Sequence, residues 1–283
     1  MASGSLLRRL WPLCGLPLEG GRAVGLNEMI RRGAGSALAE IEKLHNVKIL
    51  YACESGSRAW GFPSPDSDYD ARYLYIRPLE SYLKLFPERD VIEGPIDEVK
   101  DFVGWDLQKA LKLLMKGNAP LIEWLHSPIV YKDNLWLREN LIRLFNNNSN
   151  FNALYRGYFS LAMNNFKAYL TGESVKPKKY LYVLRSILAC EWIKQRNSIP
   201  PVLFRGLYEE LLTPSAPIYS ELENLLKIKV EAKERTAGAH FPVVDKFIDD
   251  FFKESKQQFF SSKEPVNVDE YDKFFLECLR REN

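Results

Sequence analysis

The chain has 283 residues, of which 46% are hydrophobic and 27% charged, ordinary values for a folded globular protein that exclude a disordered or low-complexity one. A net charge of +2 argues against a protein that coats polyanions without discrimination, although a local basic groove stays open to it. Cys14, Cys53, Cys190 and Cys278 form no CxxC pair, and His45, His126 and His240 stand apart. Neither a zinc site nor a disulfide framework is expected. No apolar run reaches bilayer length, so a soluble protein of the reducing cytoplasm is expected, with no membrane partner.

Residues 1–25 carry Arg8, Arg9 and Arg22 against the single acid Glu19. They are expected to be a flexible extension; an organelle-targeting segment is the alternative reading. Helical spacing then begins, with apolar residues at Leu26, Ile30, Ala34, Ala37, Leu38, Ile41 and Leu44, which predicts an amphipathic helix weakened by Gly33 and Gly35. Val47 to Cys53 is rich in strand formers and predicts a buried strand. Ser57 to Phe62 reads as a helical turn, and Tyr69 to Ile76 as the next strand.

Between those two strands lies ACESGSRAWGFPSPDSDYD. Gly56 permits close backbone approach and Ser57 supplies a hydroxyl donor, so this small-residue loop suits phosphate oxygens. Arg58 is placed either to reach a phosphate or to pair with Glu54 four residues earlier. Trp60 and Phe62 are read as core residues rather than base-stacking ones. Strand period two puts Asp68 and Asp70 on one face, where two carboxylates repel unless a cation neutralises them. A hard divalent ion, Mg2+ or Mn2+, bound by carboxylates together with substrate phosphates answers that need. The competing reading is a turn whose acids cap backbone amides.

Gly56-Ser57, ten residues, then Asp68-x-Asp70 resembles the signature of the DNA polymerase beta-type nucleotidyltransferase superfamily. The longer string ACESGSRAWGFPSPDSDYDARYLYIRPLESYL is similar to the narrower RlaP or YcgL-like group associated with RNA repair. The resemblance implies a third carboxylate on a following strand. Asp101, in the hydrophobic-acid-hydrophobic run VKDFV, matches that position best, with Asp97 and Asp106 as competitors.

Further along, Leu79 to Leu85 predicts a short helix between Pro78 and Pro87, and Val99 to Val103 a third strand against the second. WDLQKALKLLMKG predicts a helix with Asp106 at its positive end and Gly117 at its close. Its Lys109, Lys112 and Lys116 are read as a solvated face. From about Asn134 the pattern is helical: LWLRENLIRLF, then Asn152 to Thr171, then Lys178 to Gln195. In that last segment Lys178, Tyr182 and Arg185 share a face. By the resemblance, Lys179, Tyr182 and Arg185 in KKYLYVLR would clamp a triphosphate or an acceptor backbone; ordinary solvated lysines at a helix start are the alternative.

The expected fold is therefore mixed α/β: a small mixed-sheet nucleotidyltransferase core over 26–133 followed by a helical domain over 134–283, with substrate bound between them. The expected activity is transfer of a nucleoside monophosphate from an NTP, ATP by preference, to an acceptor hydroxyl. Asp68, Asp70 and Asp101 would hold the metal, and Gly56, Ser57 and Arg58 the nucleotide. An RNA 3′ end is the first acceptor implied, AMP transfer to a partner protein the second. A binding module without catalysis is the third reading.

Overall fold

The structure, a computed structural model, describes residues 22–65, 67–94, 100–148, 151–172, 175–231, 240–255 and 266–282. Most of the 1–25 extension and the competitor Asp97 lie outside them.

Helix α1 (Arg22–His45) leads through Asn46, whose left-handed backbone (φ 49°) ends it, into strand β1 (Lys48–Glu54). A four-residue helix α2 (Gly56–Ala59) follows, then β2 (Tyr69–Ile76), α3 (Leu79–Tyr82), β3 (Val91–Glu93) and β4 (Lys100–Asp106). The strand predicted over Val99 to Val103 is seen from Lys100, Val99 lying outside the described residues, and runs on to Asp106; the helix predicted there starts at the next residue, as α4 (Leu107–Met115). After α5 (Ala119–Leu125) the short β5 (Val130–Lys132) completes a five-stranded sheet of order β3-β4-β2-β1-β5. Only β2 and β4 pair in parallel among these neighbours; the other pairs are antiparallel.

Period-two alternation divides the sheet residues between two faces. Ala71, Tyr73 and Tyr75 of β2 pack with Ile49, Ile92 and Phe102 beneath Leu38 and Ile41 of α1. Leu74 and Ile76 of the same strand turn to the other side, toward Leu107, Leu111, Trp124 and Leu125. Both faces are covered, and each fully buried large side chain contributes roughly 1.5–3 kcal/mol of transfer free energy.

The rest is helical: α6 (Leu135–Asn147), α7 (Phe151–Tyr169), α8 (Pro177–Arg196), α9 (Phe204–Leu211), α10 (Pro217–Glu231), α11 (Pro242–Ser255) and α12 (Val268–Glu282). Helix α8 begins with Pro177 at its first turn, where the missing N–H costs nothing. It buries residues all round its circumference, from Tyr180 to Ile193. Helices α7, α9, α10 and α11 pack on it, while α12 returns to α4 and α6. One apolar cluster runs from Leu50 and Tyr51 of the sheet to Cys278 and Leu279 of α12. Among the described residues no helix is long and apolar enough to cross a membrane.

Candidate active site

Antiparallel pairing brings the C-terminal end of β1 beside the N-terminal end of β2, with Glu54 opposite Ala71. Parallel pairing sets the start of β4 against the start of β2, with Asp70 in register with Asp101. Glu54, Asp70 and Asp101 therefore gather at one end of the sheet, next to α2. In-register neighbours in a parallel pair project to the same face, and a single group spans these two. Arg72, two residues beyond Asp70 on the same face, donates through one terminal nitrogen to Asp70 Oδ1 at 3.0 Å and to Asp101 Oδ2 at 2.8 Å. Its other terminal nitrogen donates to the carbonyls of Ala71 at 3.1 Å and Asp101 at 2.9 Å.

The second oxygen of Asp70 points at the loop. Gly56 holds φ +60°, and a Cβ built on it would stand 2.1 Å from Asp70 Oδ2, far inside contact distance. Only glycine satisfies both the backbone and the carboxylate here. The loop is fastened to β2 on both sides, since Ser55 N–H donates to the Asp70 carbonyl at 2.9 Å and Asp70 N–H donates to Glu54 Oε1 at 3.0 Å.

Burial pushes the Asp70 carboxyl above the ordinary carboxylate range; Arg72 opposes this, and the neighbouring charges of Asp101 and Asp68 add to it. Glu54 is raised by burial as well, against the hydrogen bonds it accepts from Tyr131 OH and the Asp70 amide. Asp68 is exposed and its carboxylate has no hydrogen-bond or ion-pair partner among the described residues. Among those residues no group of three or more His, Cys, Asp or Glu stands close enough to hold a metal ion. Of the expected trio, Arg72 brings Asp70 and Asp101 together, and Asp68 lies near enough for its charge to act on Asp70. Asp106, the described competitor, lies at the far end of β4, opposite Tyr75. There it caps α4, accepting from Gln108 N–H at 2.8 Å and from Tyr82 OH at 2.9 Å.

The other expected site residues are placed less simply. The Ser57 hydroxyl is turned inward, 3.2 Å from Ser67 Oγ. Ser67 and Ser64 in turn accept from the buried Lys229 ammonium of α10. Arg58 does not pair with Glu54; it donates to the carbonyls of Ser67 at 2.7 Å and Asp68 at 3.1 Å and stacks on Tyr69, 3.8 Å from the ring centre. It straps down the turn that carries Asp68. Lys179 sits 3.5 Å from the Tyr169 ring centre, and Tyr182 packs edge-on against Trp60 at 5.3 Å.

Arg185 departs furthest from expectation. It is 2% exposed, ion-paired to Glu123, bonded to the Val202 carbonyl at 3.1 Å and stacked over Trp60 at 4.7 Å. Trp60 Nε1 donates to the other oxygen of Glu123 at 2.9 Å. In place of a phosphate clamp, Arg185 is an interior tie between α8, α5 and the residue that follows α2. Phe62 is core, against Phe204, as expected.

Arg72, Glu54, Glu123 and Lys229 were not among the expected site residues. Arg72 carried a usable signal, because strand period two puts it on the face of Asp70. Glu123 and Lys229 reach the loop from distant helices, and no local pattern announces them.

This is a mixed-sheet core with a glycine loop and acids on adjoining strands, and its sequence matches over residues 30–277 the family described as RlaP, the RNA repair pathway DNA polymerase beta family. The chain belongs to that family, which is nucleotidyltransferase-like. It is 46% identical over 212 residues to a Bacillus subtilis (strain 168) protein named "Uncharacterized protein YcgL", covering 75% of this chain and 81% of that one. A nucleotidyltransferase-like protein of known crystal structure from Exiguobacterium sibiricum 255-15 is 10% identical over 88% of this chain and 89% of that one, with a TM-score of 0.31, a likeness too slight to carry weight.

Proposed function

We propose that the protein is a metal-dependent nucleotidyltransferase that moves a nucleoside monophosphate from an NTP, ATP by preference, to the 3′ hydroxyl of an RNA. The observation that carries this reading is the arrangement of Asp70 and Asp101: in register on parallel strands, bridged by Arg72, with Asp70 Oδ2 set against the positive-φ turn at Gly56. Hard carboxylate oxygens beside a loop that tolerates no side chain fit a divalent cation and the phosphates it carries.

Asp68, Asp70 and Asp101 would hold Mg2+ or Mn2+. When bound, the cation supplies charge to the triphosphate and acidifies the acceptor hydroxyl. Gly56 admits the phosphates close to the backbone, and Ser57 adds a donor once its hydroxyl turns from Ser67. Asp101, the more exposed acid of the pair, would also help take the acceptor's proton. Family membership supports RNA as acceptor, through the family's RNA repair description.

The test is incubation with labelled ATP, Mg2+ and a panel of RNAs. Label on RNA 3′ ends is expected, and its loss in Asp70→Asn and Asp68→Asn with unchanged circular dichroism. Label on protein instead would move the acceptor to a polypeptide. Transfer surviving both substitutions would remove these acids from the mechanism.

A further inference from the structure

Two acids on neighbouring strands do not by themselves decide which of their four oxygens face a ligand, and here that choice is made by one side chain. The Arg72 guanidinium is anchored by the carbonyls of Ala71 and Asp101 and spends its remaining terminal nitrogen on Asp70 Oδ1 and Asp101 Oδ2. Each carboxylate thus keeps one oxygen on Arg72 and has the other without a partner among the described residues. For Asp70 that second oxygen is the one aimed at Gly56.

Resting on the proposed function, we infer that Arg72 is the positioning residue of the carboxylate pair: it assigns Asp70 Oδ2 and Asp101 Oδ1 to a divalent cation and holds them toward the Gly56 loop. A planar fork suits this task and a point charge does not. The guanidinium must satisfy two carbonyls on one side and two carboxylates on the other at fixed angles, which a lysine ammonium on a flexible stem does not reproduce. Were Arg72 only a counter-ion for repelling acids, lysine would serve equally well. Were it a resident cation in competition with metal, its removal would tighten metal binding. Hydrogen-bond partners behind metal ligands typically contribute tenfold to a hundredfold in affinity.

The experiment is Mn2+ binding to the full chain, followed by calorimetry and by the loss of free-ion spin-resonance signal. Wild type, Arg72→Lys and Arg72→Gln are compared with and without a non-hydrolysable ATP analogue, alongside unfolding curves. The expected result is Mn2+ affinity at least about tenfold weaker in both variants, with the larger transfer defect in the metal concentration required rather than in the rate at saturating metal. Unfolding is expected to stay cooperative in Arg72→Lys, so that variant carries the test should Arg72→Gln fail to fold. Wild-type affinity in Arg72→Lys overturns the positioning role in favour of simple neutralisation, and tighter binding in Arg72→Gln overturns it in favour of competition. Both results leave wild-type transfer intact. Wild type that binds no Mn2+ even with the analogue overturns the metal-dependent reading itself, and this inference with it.

Discussion

Two arginines in this molecule each lie against acidic side chains, and burial separates their uses. Arg72 with Asp70 and Asp101 keeps side-chain exposures of 16%, 27% and 36%. Arg185 and Glu123 keep 3% and 9%. In the first group one oxygen of each acid is held by Arg72 while the other has no hydrogen-bond partner among the described residues, which leaves it for water or a cation. In the second, both oxygens of Glu123 are consumed, one by Arg185 and one by Trp60, and nothing is left over for a ligand. The same pairing of charges serves a site where solvent reaches it and a scaffold where solvent does not.

The sharpest way to break that comparison is to remove one acid from each group. Glu123→Ala leaves a guanidinium uncompensated in the interior and should destabilise the fold by about 3–5 kcal/mol, measured by denaturant titration. Replacing both partners, Arg185→Met with Glu123→Leu, should recover most of that loss, because two desolvated charges are exchanged for packing. Asp101→Asn removes a half-exposed partner and should cost no more than about 1 kcal/mol in stability. Transfer should nevertheless fall by about a thousandfold, the equivalent of roughly 4 kcal/mol in the barrier. If Asp101→Asn proved as destabilising as Glu123→Ala, with activity intact, the two groups would be the same kind of object.

Gly56→Ala comes next in size. A left-handed backbone alone costs a non-glycine residue about 1–2 kcal/mol, and the new methyl must also push Asp70 Oδ2 aside. Stability should fall by about that amount. Mn2+ affinity should fall out of proportion to it, since the displaced atom is the proposed ligand rather than a packing neighbour.

What was legible in advance followed from local periodicity. The period of a strand placed Asp70 on a face, the run VKDFV announced the partner strand, and the family resemblance singled out Asp101 on it. Apolar spacing located α1, α4, α6, α7 and α8 to within a few residues. What was not legible was which neighbour each face would meet. Helical spacing put Tyr182 and Arg185 on one side of α8, but only the fold reveals that this side abuts Trp60 and Glu123. The inward turn of the Ser57 hydroxyl depends on Lys229, 172 residues further along the chain by its numbering, and no window of sequence contains both. Tertiary contact decided the role of residues whose chemistry alone suited a ligand equally well.

A smaller effect separates the acids of the site by pH. Glu54 has its carboxyl raised by burial above the ordinary value of 4.5, so the folded state holds a proton that the unfolded state has released. Stability contributed by this group therefore falls as pH rises from about 4.5 toward the raised value. Asp70 and Asp106, also raised by burial, contribute in the same direction. Glu54→Gln removes one of these slopes, so wild type minus variant, measured by urea unfolding across that window, should decline with rising pH. A difference that grew with pH would place an unscreened cation beside Glu54 in solution.

The smallest expected effect lies on α4, where Lys112 is exposed and Lys109 partly so. Lys109 is paired with Asp90 at 3.0 Å and Lys112 with Gln108 at 3.1 Å, on the side of the helix away from buried Leu107, Ala110, Leu111 and Leu114. Surface pairs of this kind contribute little, because screening and side-chain entropy cancel most of the Coulomb gain. Lys109→Ala and Lys112→Ala should each change stability by less than about 0.5 kcal/mol and leave the RNA concentration for half-maximal transfer unchanged. A rise in that concentration, steeper at low salt, would show a phosphate backbone tracking along α4, and would make these lysines a third class beside Arg72 and Arg185: cations whose partner arrives with the substrate.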